Sequence, residues 1–346
     1  PSVAPSLLPT FAGPAPFDLD AYVVEIANGV VEEAAFEPQG VKIGIGLNDR
    51  PLGAALSAHP MALLAAATAR RRADILVGGA AEQPVWIRHM AGAGASSSRV
   101  RVALEPGASL VLIESYEGRA DSFAADVLEI ELGEGATLSR YILQDADESA
   151  VLSAVACVAM AKSARFEQTA LAFGARLARI ETRIETIGDS ANVSLDSASL
   201  VSGGRHVDVT THVAHGAEGG LTRQRHKSAL RDRARSIFQG KFLVARTAQK
   251  TDARMAAKAL LLAEGAEVDH KPELEIYADD VQCAHGATAG ALDPDALFYL
   301  RQRGLPEGAA RALLVEAFLG EIFDETAHPG VAATFRARTA RWLESA

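Results

Sequence analysis

The chain has 346 residues, 49% of them hydrophobic, enough to bury a large core and to form two or three structural units. A net charge of −10 and a pI near 5.4 argue against a phosphate-backbone binder, and 5% aromatic residues leave few platforms for stacking bases. Two cysteines make no disulfide framework and no stretch reaches the roughly 20 apolar residues of a membrane helix, so a soluble protein of a reducing, cytoplasmic compartment is expected.

Residues 1–17 are rich in Pro, Ala and Ser and read as a loosely held arm. With five prolines and no basic start, the segment does not read as a secretory signal. Leu52, Leu56, Met61, Leu63 and Leu64 follow among many alanines. Pro51 and Pro60 each suit the first turn of a short helix, and Arg70-Arg71-Arg72 reads as a charged helix end.

From Asp74 the texture changes to short β-rich runs punctuated by glycine, such as Val85-Trp86-Ile87 and Val100-Arg101-Val102-Ala103-Leu104. A repeat lies beneath them. Gly107-Ala108-Ser109-Leu110 returns as Gly135-Ala136-Thr137-Leu138, then as Ser163-Ala164-Arg165-Phe166 and Ser190-Ala191-Asn192-Val193, at steps of 28, 28 and 27 residues. Gly265-Ala266-Glu267-Val268 is a fainter echo after a longer gap. Short strands at such a fixed step point to a solenoid, and a parallel β-helix satisfies the pattern. A β-sandwich with similar hairpin turns is the alternative.

Beyond Ala287 the pattern turns helical. Asp293-Pro294 starts one helix with Leu297, Phe298 and Leu300 on its buried side. Pro306 opens a second with Leu313, Leu314, Ala317, Phe318 and Ile322 at helical spacing, and a third carries Phe335 and Trp342.

Several groups could carry chemistry. Cys283 and His285 stand two residues apart after Glu273, Glu275 and Tyr277, which alternate with Leu274, Ile276 and Ala278 as in a half-buried strand. If that strand runs through Val281, the pair projects from one face, within reach of one metal or cluster edge, and the imidazolium can favour the thiolate. Taken alone, the pair reads more readily as a buried thiol and a hydrogen-bonded histidine. Two ligands do not complete a site that normally takes four. Asp279 and Asp280 are adjacent, so they face opposite ways and read as one turn-forming and one solvated residue, with iron attraction by either the lesser alternative. His206, Asp208, Thr210 and His212 share one face as either a metal stripe or, more commonly, a polar ladder. Cys157, in an apolar run, reads as a buried, inert thiol. There is no phosphate-binding Gly-x-x-x-x-Gly-Lys loop, no nucleophile elbow and no dinucleotide fingerprint.

The run Lys271-Pro272-Glu273-Leu274-Glu275-Ile276-Tyr277-Ala278-Asp279-Asp280, with Val281, Cys283, His285-Gly286-Ala287-Thr288 and Leu297-Phe298-Tyr299-Leu300-Arg301, resembles SufD of the SufB/SufD family, scaffold proteins of the SUF iron–sulfur cluster assembly system. Asp232-Arg233-Ala234-Arg235, Phe238-Gln239-Gly240-Lys241 and Lys250-Thr251-Asp252 also match. An Asn common after the last motif is replaced here by Ala256-Ala257. The resemblance spans about 46–325, and the aromatic-rich helical section that usually comes first has no counterpart.

What the resemblance implies is a mainly β protein: a right-handed parallel β-helix at 74–289, preceded by an arm and short helices at 1–73 and followed by a helical domain at 290–346. It implies a non-catalytic scaffold pairing with SufB and with the SufC ATPase. A transient iron–sulfur cluster would be shared with SufB at Cys283 and His285, none being tightly held by this chain alone. SufC would meet the helices at 306–326, with Leu314, Phe318 and Ile322 as contact candidates. A stand-alone homodimer is the alternative, since an open sheet edge can self-pair. A polysaccharide-active β-helix enzyme is the remote one.

Overall fold

The computed structural model describes residues 15–31 and 40–345; most of the expected arm, 1–14, lies outside the described residues. The chain opens with β1 (Tyr22–Ala27), β2 (Val30–Val31), β3 (Val41–Leu47) and α1 (Pro60–Thr68). Then come β4 (Arg71–Val77), β5 (Val85–Ala91), β6 (Gly94–Leu104), β7 (Ser109–Gly118), β8 (Ser122–Leu132), β9 (Thr137–Gln144), β10 (Val151–Met160) and β11 (Arg165–Ala172). The coil continues through β12 (Leu177–Thr186), β13 (Asn192–Val201), β14 (His206–His215), β15 (Leu221–Leu230), β16 (Arg235–Val244), β17 (Asp252–Leu261), β18 (Glu267–Ile276) and β19 (Gln282–Gly290). Helices α2 (Pro294–Gln302), α3 (Glu307–Phe323) and α4 (Pro329–Glu344) close it.

From β4 on, odd strands build one sheet and even strands the other, and each strand pairs in parallel with the strand one rung away. This is a parallel β-helix, not a sandwich. Three strands lie ahead of Asp74, where an arm and short helices were expected. β1 joins the odd sheet beside β5, while β3 returns antiparallel along β4. Their apolar residues, including Val24, Ile26 and Val41, plug the first rung's interior. Pro60 opens α1 as expected, but Pro51 leads only to a single 3₁₀ turn, Ala54–Leu56.

One register column runs Thr137, Arg165, Asn192, Leu221, Asp252, Gln282, so the step drifts from 27 to 31 residues along the coil. Before these strands one corner residue takes a left-handed backbone: Gly107, Gly135, Ser163, Ser190, Gly219 and Lys250. Each donates its N–H to a carbonyl of the next rung's corner, as Gly135 does to Lys162 at 2.9 Å and Ser190 to Glu218 at 2.8 Å. Gly265 is not part of this series. It precedes β18, at the opposite corner of the cross-section, where Gly203 and Asp232 take the left-handed conformation.

Alternation does the packing. Inward residues such as Phe166, Val193, Phe238 and Phe242 are fully buried in one continuous core. The odd sheet's outer face, including Trp86, Tyr141, Leu171 and Leu200, is covered by Val315, Leu319, Ile322, Phe335 and Trp342 of α3 and α4. α2 buries no residue; Phe298, expected on a packed side, is 63% exposed. No described helix is long and apolar enough to cross a membrane.

Candidate functional site

β18 and β19 end the two sheets, so the last rung presents two strand edges with no neighbour among the described residues. Pro272 sits in β18, and an edge strand is where a sheet tolerates proline. The strand stops at Ile276 instead of running through Val281. Residues 277–281 turn a corner held by Lys250 N–H donating to the Asp280 carbonyl at 2.6 Å and Asp280 N–H donating to Gln249 Oε1 at 2.9 Å. Asp279 and Asp280 are both exposed at this corner.

Cys283 and His285 therefore belong to the next strand, β19. They still share a face, because two residues of one strand separate them by roughly 6–7 Å at Cα. Cys283 stacks on Ala253 and Thr222, and His285 on Met255 and Gln224. All four of those neighbours are buried core residues, so the pair occupies inward-facing positions at the open mouth of the coil. His285 is exposed there, while Cys283 is half-buried against Val244, Ala248 and Ala278.

Burial pushes the Cys283 thiol up; the Ala253 backbone lowers it and the Asp252 carboxylate raises it again. The expected activation by an imidazolium has no counterpart among these influences. Within this chain the thiol is held protonated. Among the described residues, no group of three or more His, Cys, Asp or Glu side chains is placed to hold a metal ion.

The other candidates resolve into structure. Asp208 on β14 pairs with Arg179 at 2.5 Å and accepts from Thr210 Oγ1 at 2.8 Å, so the middle of the stripe is paired within the chain, while His206 Nε2 is buried without a hydrogen-bond partner. Burial lowers the pKa of both His206 and His212. Cys157 faces outward, not into the core. It lies half-buried with Leu52 and Met61, and burial, with Glu185 and Glu129 nearby, pushes its thiol up to about 12. A thiol raised in this way stays protonated at neutral pH, although it lies outside the core in which it was expected. On α3, Ile322 is fully buried against the coil and so unavailable to a partner. Phe318 is partly buried, with Lys227 over its ring at 4.9 Å, and Leu314 is half-buried; the exposed side chains nearby are Leu313, Phe298 and Tyr299.

Two inward histidines near the mouth were passed over: His226 on β15 and His270 on β18. The alternation of Val268, His270, Pro272 and Leu274 carried the signal for the second.

Comparison with known proteins adds the following. A family model described as "SUF system FeS cluster assembly, SufBD core domain" matches residues 87–318. A SufBD-family iron–sulfur cluster assembly protein of Synechocystis sp. is 33% identical over 238 residues, covering 66% of this chain and 52% of the relative. The iron–sulfur cluster assembly protein SufD of Escherichia coli is 35% identical over 170 residues, covering 49% and 40%. The chloroplastic protein ABCI7 of Arabidopsis thaliana is 27% identical over 257 residues, covering 70% and 54%. The chain thus spans about half the length of the curated relatives it matches.

Proposed function

This chain belongs to the SufBD family of the SUF system, and we propose that it serves as a SufD-type scaffold on which iron–sulfur clusters are assembled in the cytoplasm. The observation that carries this reading is the terminal rung: a thiol and an imidazole on one strand face, at a mouth flanked by two strand edges that have no neighbour among the described residues. Two donors leave a cluster's remaining positions for another subunit. A SufB-type chain adding its strands to β18 and β19 would bring its own ligands opposite Cys283 and His285. Iron and sulfide are then cargo, held transiently at the seam. The ATPase work falls to a SufC-type partner, for which α2 and α3 offer Phe298, Tyr299 and Leu313 beside Leu314 and Phe318.

The test is co-expression with SufB and SufC, followed by anaerobic iron and sulfide analysis. His285→Ala should leave the complex intact and cut cluster yield at least about tenfold, through loss of a ligand that binds only as neutral imidazole. An unchanged yield would refute the proposal. The same free edges support a second reading, a homodimer paired through the terminal rung. Size-exclusion chromatography with and without SufB and SufC separates the two.

A further inference from the structure

Behind the terminal rung, His226 is fully buried and stacked on Phe238, with ring centroids 4.7 Å apart and planes within 9°. Its Nδ1 lies 2.8 Å from Ser197 Oγ, which fixes the ring. Its Nε2 is buried without a hydrogen-bond partner. His270 reaches in from the other sheet, nearly perpendicular to both rings, with its centroid 6.1 Å from His226 and 6.2 Å from Phe238. Its ring is half-exposed toward the mouth, yet its Nε2 is also buried and unpartnered.

An unpaired buried polar atom is costly, so two orphaned imidazole nitrogens on neighbouring rings invite a shared ligand. Between His226 and the open end, its register column carries only the short side chains of Ala257 and Ala287. Met255, the inward residue directly behind His285, lies against Gly240, where a Cβ would fall 2.4 Å from its sulfur.

We propose that His226 and His270 form a site inside the mouth of the coil for a first-row divalent transition metal, bound through their Nε2 atoms. Metal–nitrogen bonds of about 2.0–2.1 Å to two imidazoles hold ring centroids roughly 5–6 Å apart, close to the separation found. With Nδ1–H of His226 donating to Ser197 Oγ, Nε2 carries the free lone pair, the second-sphere arrangement common to histidine ligands. Both imidazoles are neutral at physiological pH: burial pushes His226 down to about 3, with His270 adding to the shift, and burial lowers His270 too. Water or the cargo's own ligands complete the coordination. The site stands on this geometry alone; only the identification of its metal as iron awaiting delivery to Cys283 and His285 rests on the assembly reading.

The test is anaerobic titration of the full chain with Co(II), a spectroscopic substitute for Fe(II), followed by equilibrium dialysis with Fe(II) itself. The expected result is one ion per chain whose ligand-field bands disappear, with binding at least about tenfold weaker, in His270→Asn and in His226→Phe. His226→Phe preserves the stack on Phe238, and thermal melts verify that both variants fold. Ser197→Ala should weaken binding about tenfold by the loss of the positioning bond. A Cys283→Ala/His285→Ala double variant should keep the bands. Wild-type affinity in His270→Asn and His226→Phe, or no stoichiometric binding by the wild type, overturns the inference. Loss confined to the Cys283/His285 variant overturns it as well, while leaving the scaffold reading intact.

Discussion

Buried polar side chains set this protein's response to acid. Inside the coil, Glu114 is fully buried; burial opposes its charge, but Arg140 and His89 hold its pKa below the usual carboxylate range. Arg140 donates to it, and on to Gln168 at 2.8 Å, while Tyr116 donates to Glu114 at 2.7 Å. Removing one partner strands the other, so Arg140→Met should destabilise by roughly 3–5 kcal/mol in urea unfolding. Replacing Glu114 and Arg140 together with apolar residues should cost far less. His215 is pushed the other way, down to about 4, with burial as its sole cause. Its folded pKa lies below the unfolded value near 6.5, so the unfolded state takes up the proton first and stability falls as pH drops from 6.5 toward 4. The full effect is on the order of 3 kcal/mol. Thermal melts should show His215→Asn making that part of the pH profile shallower, with the slope due to the buried His226 remaining. The loss below about pH 4.5, where unfolded carboxylates protonate ahead of Glu114 and Glu181, should remain. None of these inward charges could be recognised from composition, because Glu114 in Ile113-Glu114-Ser115 looks like any surface glutamate until its register is known.

At the scale of elements, the corners determine the coil. Gly135 has φ +66° with nothing within 4 Å of where its Cβ would be, so Gly135→Ala should cost about 1 kcal/mol through backbone strain alone. Ser163 occupies the equivalent corner at φ 55°, and Ser163→Gly should recover a similar amount. Opposite signs of ΔΔG in urea unfolding are the check; equal signs would remove the corner explanation. The same corners explain what was legible. The 28-residue step stood out while Gly-Ala or Ser-Ala marked each corner, and was lost after Ser190, where Gly219 and then Lys250 take the position and the rung lengthens. α3 misled for a different reason. Its helical spacing was plain, but Lys227 donating to the Phe318 carbonyl and Glu321, and Arg225 pairing with Glu325, choose the packed face, and those partners are about 90–100 residues away in sequence. Cys283 and His285 were legible as a pair. The corner between them and β18 was not, because Tyr277-Ala278 continues the alternation past the strand's end.

For the molecule as a whole, a solenoid contacts mainly its neighbours, so each end is a separate surface. The first end is plugged by β1 and β3, and the odd sheet's outer face is roofed by α3 and α4. The last end is uncovered among the described residues: β19 is exposed at nearly every residue, and Ile276 and Tyr277 are exposed beside it. Polarity along β19 tells which groups point off its outer edge. Gln282 N–H donates inward to Thr251 at 2.9 Å, and parallel strands alternate the direction of successive N–H groups. Those of Cys283, His285, Ala287 and Ala289 therefore point off the open edge. Ala287→Pro removes one of these donors without breaking the ladder to β17, and an edge strand accepts proline. The variant should fold with an unchanged circular dichroism spectrum and melt close to wild type. It should fail to pair through this edge, whether with a SufB-type chain or a second copy, in size-exclusion chromatography with light scattering. Pairing at wild-type strength would mean that association does not extend the sheets, and that Cys283 and His285 meet their partner by another route.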